Sequence, residues 1–418
     1  VSERKGLWVS LPTGEGGPDE REVRSAIAHA REELDATGAM EGDQPAETAE
    51  RLAKLARLHI RLQERERAEP LLRRAVEISE AALGPDHHGT ADSLENLAEF
   101  FFRQGDYADA EPLVRRALSI WEGEGGEPAR RAAKCLTRLG VINYHVENHG
   151  KAETLLKRAV EVMEGAFGAD HPNVSESLDS LATFLQMRRD LDGAKDAYGR
   201  SVRIREAALG PEHALTAKCL GNLAGVHSEL GDDAGAMPLY ERALAGMEAA
   251  HGAGHPESIA CLCNLAEIYF DLGEYPKARS LIGHLLKATA GDPDPGMLAV
   301  AAVMGRLLRR CCDHKDVETA ESLCERALEI YEATLGPDHP EVASALRDLG
   351  IVLAAQEELD RAEPLFRRAL DICESALGPD DPETEVVSAL LERLEEERDE
   401  REDRTGEPGE PAAGRKIH

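Results

Sequence analysis

The sequence predicts an all-α solenoid, and three observations carry that expectation. A repeat with a period of 42 residues runs along the chain, apolar residues within each repeat fall at three- and four-residue steps, and Ala, Leu, Glu and Arg dominate while aromatics make up 4%. At 418 residues the chain could hold two or three ordinary domains, but a repeat of this kind replaces that count with a single array of stacked units.

Related segments LGPDHH (83–88), FGADHP (167–172), LGPEHA (209–214), HGAGHP (251–256), LGPDHP (335–340) and LGPDDP (377–382) are always a multiple of 42 residues apart. The glycine recurs at Gly42, Gly84, Gly126, Gly168, Gly210, Gly252, Gly336 and Gly378, interrupted only by Asp294. Leucine keeps the same period at Leu55, Leu97, Leu139, Leu181, Leu223, Leu265, Leu307 and Leu349. Alanine does so at Ala68, Ala110, Ala152, Ala194, Ala236, Ala278, Ala320 and Ala362. An alanine kept in every copy marks a point where two helices approach too closely for a larger side chain.

Within one unit, residues 93–102 carry apolar side chains at helical spacing and Gly105-Asp106 punctuates them, which gives a first helix. From Tyr107, the residues Ala110, Leu113, Val114, Ala117, Leu118 and Trp121 give a second. The recurring glycine is expected to end the second helix as a left-handed C′ residue. A proline such as Pro172, Pro256 or Pro340 then suits the first turn of the next unit. Pro70, Pro112, Pro238 and Pro364 fall several residues into the second helix, so either that helix starts later or it bends there.

Leu94, Leu97, Ala98, Phe101, Gly105, Tyr107, Ala110, Val114 and Ala117 make the unit resemble the tetratricopeptide repeat, in the 42-residue variety typical of kinesin light chains and many bacterial repeat proteins. The resemblance covers residues 45–382 as eight units and implies a right-handed α-solenoid of stacked helix-turn-helix repeats. The unit at 255–296 and its successor depart most, because Gly291-Asp292-Pro293-Asp294-Pro295-Gly296 replaces the usual junction. Residues 1–44 read as an N-terminal extension, unstructured over 1–18 with a short helix over 19–37. Residues 383–404, with Val386, Val387, Leu390, Leu391 and Leu394 on one stripe, read as a C-terminal solvating helix, and 405–418 as a disordered tail.

A formal charge of −31 argues against a phosphate-neutralising surface, so nucleic acid is not an expected partner. No apolar run reaches the roughly 18 to 20 residues of a membrane helix, and no leader pattern opens the chain, so a cytoplasmic location is expected without membrane association. The eight cysteines include no CxxC pair, and Cys135, Cys219 and Cys261 share a slot filled elsewhere by Ser93, Ser177, Val303 and Ala345, which reads as small-residue packing in a reducing compartment. His87, His171, His213, His255 and His339 share another slot, one repeat apart and too distant to join at a single ion; each is expected to cap a first helix. Asp292, Asp294 and Gly296 lack the downstream glutamate of a calcium loop and read as a turn. No phosphate loop, HExxH or GxSxG motif is found in the sequence. The expectation is therefore a protein with no catalytic residues, no metal and no cofactor.

The resemblance implies that the first helices line a groove. It also implies that an Asn ahead of the Leu-Ala pair holds the backbone of an extended peptide, since an amide both donates and accepts. That slot holds Lys54, Asn96, Arg138, Ser180, Asn222, Asn264, Arg306 and Asp348. The candidate peptide-binding residues are Asn96, Asn222 and Asn264, with Lys134, Arg138, Tyr144, Lys218 and Phe270. Asp92, Glu99, His145 and Glu267 are expected to face the same groove, whose mixed signs leave the net acidity to the opposite face and the caps. A two-carboxylate clamp of the chaperone-tail type is not expected, because Lys134 with Arg138 is only a fragment of it. The function read from the sequence is a scaffold or adaptor that binds a peptide or protein segment. The alternative is the sensor arm of a bacterial signalling ATPase whose nucleotide domain lies outside this chain.

Overall fold

The computed structural model describes residues 20–36, 45–122, 126–291 and 297–405, and no strand occurs among them. Helix α1 (Glu20–Ala36) precedes eight consecutive helix pairs. These are α2 (Pro45–Arg61) with α3 (Arg65–Leu83), α4 (His88–Gln104) with α5 (Tyr107–Trp121), α6 (Glu127–His145) with α7 (His149–Phe167), and α8 (Val174–Met187) with α9 (Leu191–Leu209). They continue as α10 (Ala214–Glu229) with α11 (Asp233–His251), α12 (Pro256–Asp271) with α13 (Tyr275–Ala288), α14 (Leu298–Asp313) with α15 (Val317–Leu335), and α16 (Pro340–Ala355) with α17 (Leu359–Ala376); α18 (Pro382–Thr405) follows. The chain divides within α11 into two compact units, one ending at Gly246 and the other beginning at Met247. The stretch expected to lack structure at 1–18, residues 406–418 of the tail expected over 405–418, and residues 292–296 of the irregular junction lie outside the described residues, while Thr405 ends α18.

Alanine governs how each pair closes. Ala68, Ala110, Ala152, Ala194, Ala236, Ala278, Ala320 and Ala362 all have 0% exposure, and the recurring leucines of the first helices are buried with them. The opposing first-helix slot is equally tight: a Cβ added to Gly350 would come within 2.7 Å of the Phe366 ring, and one on Gly140 within 2.8 Å of Leu156. Interiors packed at crystal-like density cannot absorb such atoms without shifts.

The turn inside each pair is also uniform. Gln63, Gly105, Glu147, Arg189, Gly231, Gly273, Lys315 and Glu357 occupy one slot, and all have positive φ, between 57° and 66° at the five that are not glycine. The sequence displayed this requirement only where glycine satisfied it. The glycines after the second helices differ from the expected left-handed C′ residue. Gly84, Gly168, Gly210 and Gly336 have φ of 90–100° but ψ of 153–163°, because the chain leaves the helix extended rather than curling back over its last turn. That region is open almost only to glycine.

The histidines end this junction. Nδ1 of His87, His213, His255 and His339 accepts a hydrogen bond from the backbone N–H two residues on, at 3.0–3.3 Å, and caps α4, α10, α12 and α16. His171 makes the same bond to Asn173 at 3.2 Å, one turn ahead of α8, and Asp381 replaces histidine before α18 by accepting from Glu383 at 2.9 Å. Pro256 and Pro340 open their helices as expected, whereas Pro172 lies before α8. Pro70, Pro112, Pro238 and Pro364 each lie inside a second helix that begins five residues earlier, so the later start is excluded.

Neighbouring repeats are tied by a column of charged pairs between second helices. Within the first unit Arg116 pairs with Glu80, Arg158 with Glu122 at 2.6 Å, Arg200 with Glu164 and Arg242 with Glu206; within the second, Arg368 pairs with Glu332 at 2.6 Å. Arg200 also donates to the carbonyl of Ala169 at 2.6 Å, and Arg368 to that of Pro337 at 3.2 Å, so one guanidinium holds both a helix end and the loop beyond it. At the irregular junction α13 stops after 14 residues, and Arg326 donates to the backbone carbonyl of Gly291 at 2.7 Å. Helix α18 buries Val387 and Leu394, but Val386, expected on that stripe, is 48% exposed. Arg398 anchors the helix to Glu363 at 2.6 Å.

Two substitutions test this account by urea unfolding. Ala152→Leu is expected to cost about 1–3 kcal/mol or more through overpacking. Glu147→Gly, which relieves a left-handed residue whose side chain is exposed, is expected to stabilise by up to about 1 kcal/mol.

Candidate functional site

In the first unit the helices α2, α4 and α6 line a cleft of ≈ 640 Å³ whose wall includes Asp92, Asn96, Glu99, Lys134 and Arg138. All five were expected to face a groove. The cleft adds Glu95, Arg57, Arg103 and Arg131, which the sequence reading passed over.

Most of these charges are already committed. Arg131 pairs with Asp92, and Arg138 pairs with Glu99, which also accepts from Arg103 at 2.5 Å. Arg138 lies 5.9 Å from the Phe102 ring centre and its side chain is 15% exposed, so it bridges α4 and α6 and offers little free surface. Arg306, its slot-mate in the second unit, bonds Glu267 at 2.8 Å in the same way. Lys134 is exposed and forms no ion pair among the described residues, and the same is true of Arg57.

Glu95 lies at the floor of the cleft with 6% exposure and accepts from Trp121 Nε1 at 2.8 Å. Burial pushes its carboxyl above the usual range, opposed by the Trp121 bond and by the positive charges of Lys134 and Arg138. Asp179 occupies the same slot two repeats on and meets Arg205 at 2.6 Å, where the second helix supplies a guanidinium in place of an indole. A carboxylate in a first-helix slot that is small in most repeats, 26 residues ahead of a guanidinium or indole side chain, is the signal that would have found both pairs. Cys135 beside Glu95 is buried, and burial followed by the Glu95 charge pushes its thiol up to about 12, which makes it an inert packing group.

The asparagines behave differently from the arginines in their slot. Asn96, Asn222 and Asn264 are half-buried, and their amides make no hydrogen bond among the described residues. Asn96 lies in the cleft; Asn222 belongs to the first unit and Asn264 to the second. Tyr144 is half-buried, edge-on to the Phe184 ring at 6.0 Å, and Lys218 is half-buried. Phe270 is 5% exposed and stacks on His314 at 5.5 Å, so it packs the end of a repeat and presents little surface to a ligand. No group of three or more His, Cys, Asp or Glu side chains among the described residues is arranged to hold a metal ion.

Residues 47–123, 131–207, 176–249, 234–290 and 311–375 match the tetratricopeptide repeat family model. The chain belongs to the tetratricopeptide repeat family. Its fold is similar to that of a Signal Transduction ATPase with Numerous Domains from Pyrococcus horikoshii that carries a tetratricopeptide repeat sensor, at 14% identity and a TM-score of 0.54, over 90% of this chain and 54% of that one. BtubC (BKLC) from P. vanneervenii matches at 18% identity and a TM-score of 0.46, over 59% of this chain and 91% of that one. TPR-like repeats from a Podosopora anserina protein named as a kinesin light chain match at 20% identity and a TM-score of 0.42, over 49% and 97%. No curated protein matches the chain. Tetratricopeptide repeats are protein-interaction modules, and this chain is an interaction scaffold built from them. Among the described residues no helix is long and apolar enough to cross a membrane.

The buried carboxylate gives this scaffold a pH signature. With the folded pKa of Glu95 raised, the folded state holds the proton more tightly than the unfolded one, so its ionisation costs stability as pH rises through that window. Glu95→Gln, which keeps an acceptor for Trp121, is expected to raise the urea midpoint at pH 7, with the gain vanishing below the unfolded carboxylate range near pH 4. A gain that is equal at both pH values contradicts the assignment.

Proposed function

We propose that the first helices of this tetratricopeptide scaffold hold extended protein segments by the main chain, through the amides of Asn96 and Asn222 in the first unit and, separately, of Asn264 in the second. The observation that carries the reading is that these amides are half-buried yet spend no hydrogen bond on the protein, while their slot-mates Arg138 and Arg306 are locked to Glu99 and Glu267. A half-buried amide that faces a peptide backbone satisfies both a carbonyl and an N–H, which suits sequence-tolerant binding. In the cleft Lys134 supplies an unpaired cation beside Asn96, and Arg138 fixes the wall. Tyr144, Lys218 and Phe270 are secondary: Tyr144 and Lys218 contribute partial surfaces, and Phe270 packs against His314 and Tyr275.

We read the role as binding without catalysis and the location as cytoplasmic. The second inference is supported by eight cysteines that are all free, seven of them buried. A second reading, the sensor arm of a longer signalling ATPase, is favoured by the fold likeness to the P. horikoshii protein, of which this chain would span about half. A phosphate loop in the same reading frame ahead of this sequence would support it.

The test is a peptide array probed with wild type and with the combined Asn96→Ala, Asn222→Ala, Asn264→Ala variant, after circular dichroism shows both folded. Loss of most peptide signals, by about tenfold or more for a few hydrogen bonds of about 1 kcal/mol each, is the expected result. Unchanged binding moves the site elsewhere.

A further inference from the structure

A second cavity lies in the second unit, between α14, α15 and α16. It has a volume of ≈ 110 Å³, and Gly305 is part of its wall. The slot of Gly305 is the slot of Glu95 and Asp179, whose side chains reach across to Trp121 and Arg205. At Gly305 that side chain is missing, and the residue across the gap is Tyr331. A Cβ added at Gly305 meets nothing within 4 Å, so the space is open. The inner wall is apolar or small, from Ala301, Leu323, Cys324 and Ala327, all buried. The rim is acidic: Glu341 is exposed and without an ion pair among the described residues, and Asp348, bonded by Arg347 at 2.8 Å, is half-buried; no cation lines the cavity. Burial first, then the charges of Glu341 and Asp348, pushes the Tyr331 hydroxyl up to about 12, so the negative field of the rim reaches the floor.

We propose that this cavity is an anchor pocket for one branched aliphatic side chain, leucine in size, carried by a partner segment with a lysine or arginine next to it. The volume selects the aliphatic group, since apolar cavities of about 150 Å³ admit a benzene ring and this one is smaller. The rim selects the cation, because Glu341 has charge to spare at the mouth of an apolar well. The pocket contains none of the asparagines and does not rest on the main-chain reading.

The probe is the peptide acetyl-Gly-Lys-Leu-Lys-Gly-amide, followed by methyl NMR of the full chain at Ala301 and Ala345. The expected result is saturable shifts at these methyls, lost when the peptide leucine is replaced by alanine and strongly weakened when its lysines are replaced by glutamate. Gly305→Leu, which fills the space, is expected to lower affinity about ten- to a hundredfold, the worth of one buried aliphatic side chain. Gly305→Ala adds one unobstructed methyl and serves should the leucine variant fail to fold; it is expected to give an intermediate loss with a raised melting temperature. Glu341→Gln is expected to narrow the difference between the lysine and glutamate peptides. No shifts with the folded wild type, equal binding by Gly305→Ala and wild type, or equal binding of the lysine and glutamate peptides overturns the proposal. Binding that persists in the triple asparagine variant separates this pocket from the main-chain site.

Discussion

Everything in this array depends on how closely the two helices of a repeat can approach. The alanine at the crossing point is fully buried in all eight pairs, and one turn further along the second helix the contact with the first helix is equally close. Gly350 lies against Phe366, while Leu308 shares a cavity wall with the much smaller Cys324. At these two contacts a large side chain on one helix meets a small one on the other, as expected where packing density is the constraint. With that distance fixed, each pair presents the same two faces, one for its neighbours and one for a ligand.

The polar features then sort by whether they serve the array or stand apart from it. Arginines on the second helices reach the preceding repeat's glutamate and loop carbonyl, and arginines at the asparagine slot do the same between first helices. The second-helix pairs are exposed or half-exposed and individually worth little, while Arg138 is more deeply held. What such bridges leave unoccupied is therefore informative: the three asparagine amides, Lys134, and the gap at Gly305.

Much of this was legible in the sequence. Period, helix pairing, the small-residue crossing and the histidine caps follow from residue types that recur at one interval, and the glycine, alanine and leucine columns display them directly. The left-handed turn was hidden because Gln63, Glu147, Arg189, Lys315 and Glu357 adopt a conformation that glycine usually announces; here the flanking helices impose it. The Glu95–Trp121 pair was hidden for a different reason. It joins two positions 26 residues apart whose residue types vary from repeat to repeat, and only the folded pair brings them within hydrogen-bonding distance. Arg138 was singled out for its charge, and only three-dimensional structure reveals that Glu99 and the Phe102 ring already hold it.

The bridging column between second helices bears on how such a chain could change its length. Arg158 reaches Glu122 and Arg200 reaches Glu164, so the deletion of one 42-residue block would bring Arg200 opposite Glu122 with the same chemistry and the same offset along the helices. Duplication of a block would add another identical rung. Unequal recombination among the repeats that carry this rung could thus lengthen or shorten the array without unpairing a junction, whereas a change of any other length would break one. Groove side chains take no part in that bookkeeping, which leaves ligand preference free to drift while the frame that carries it stays in register.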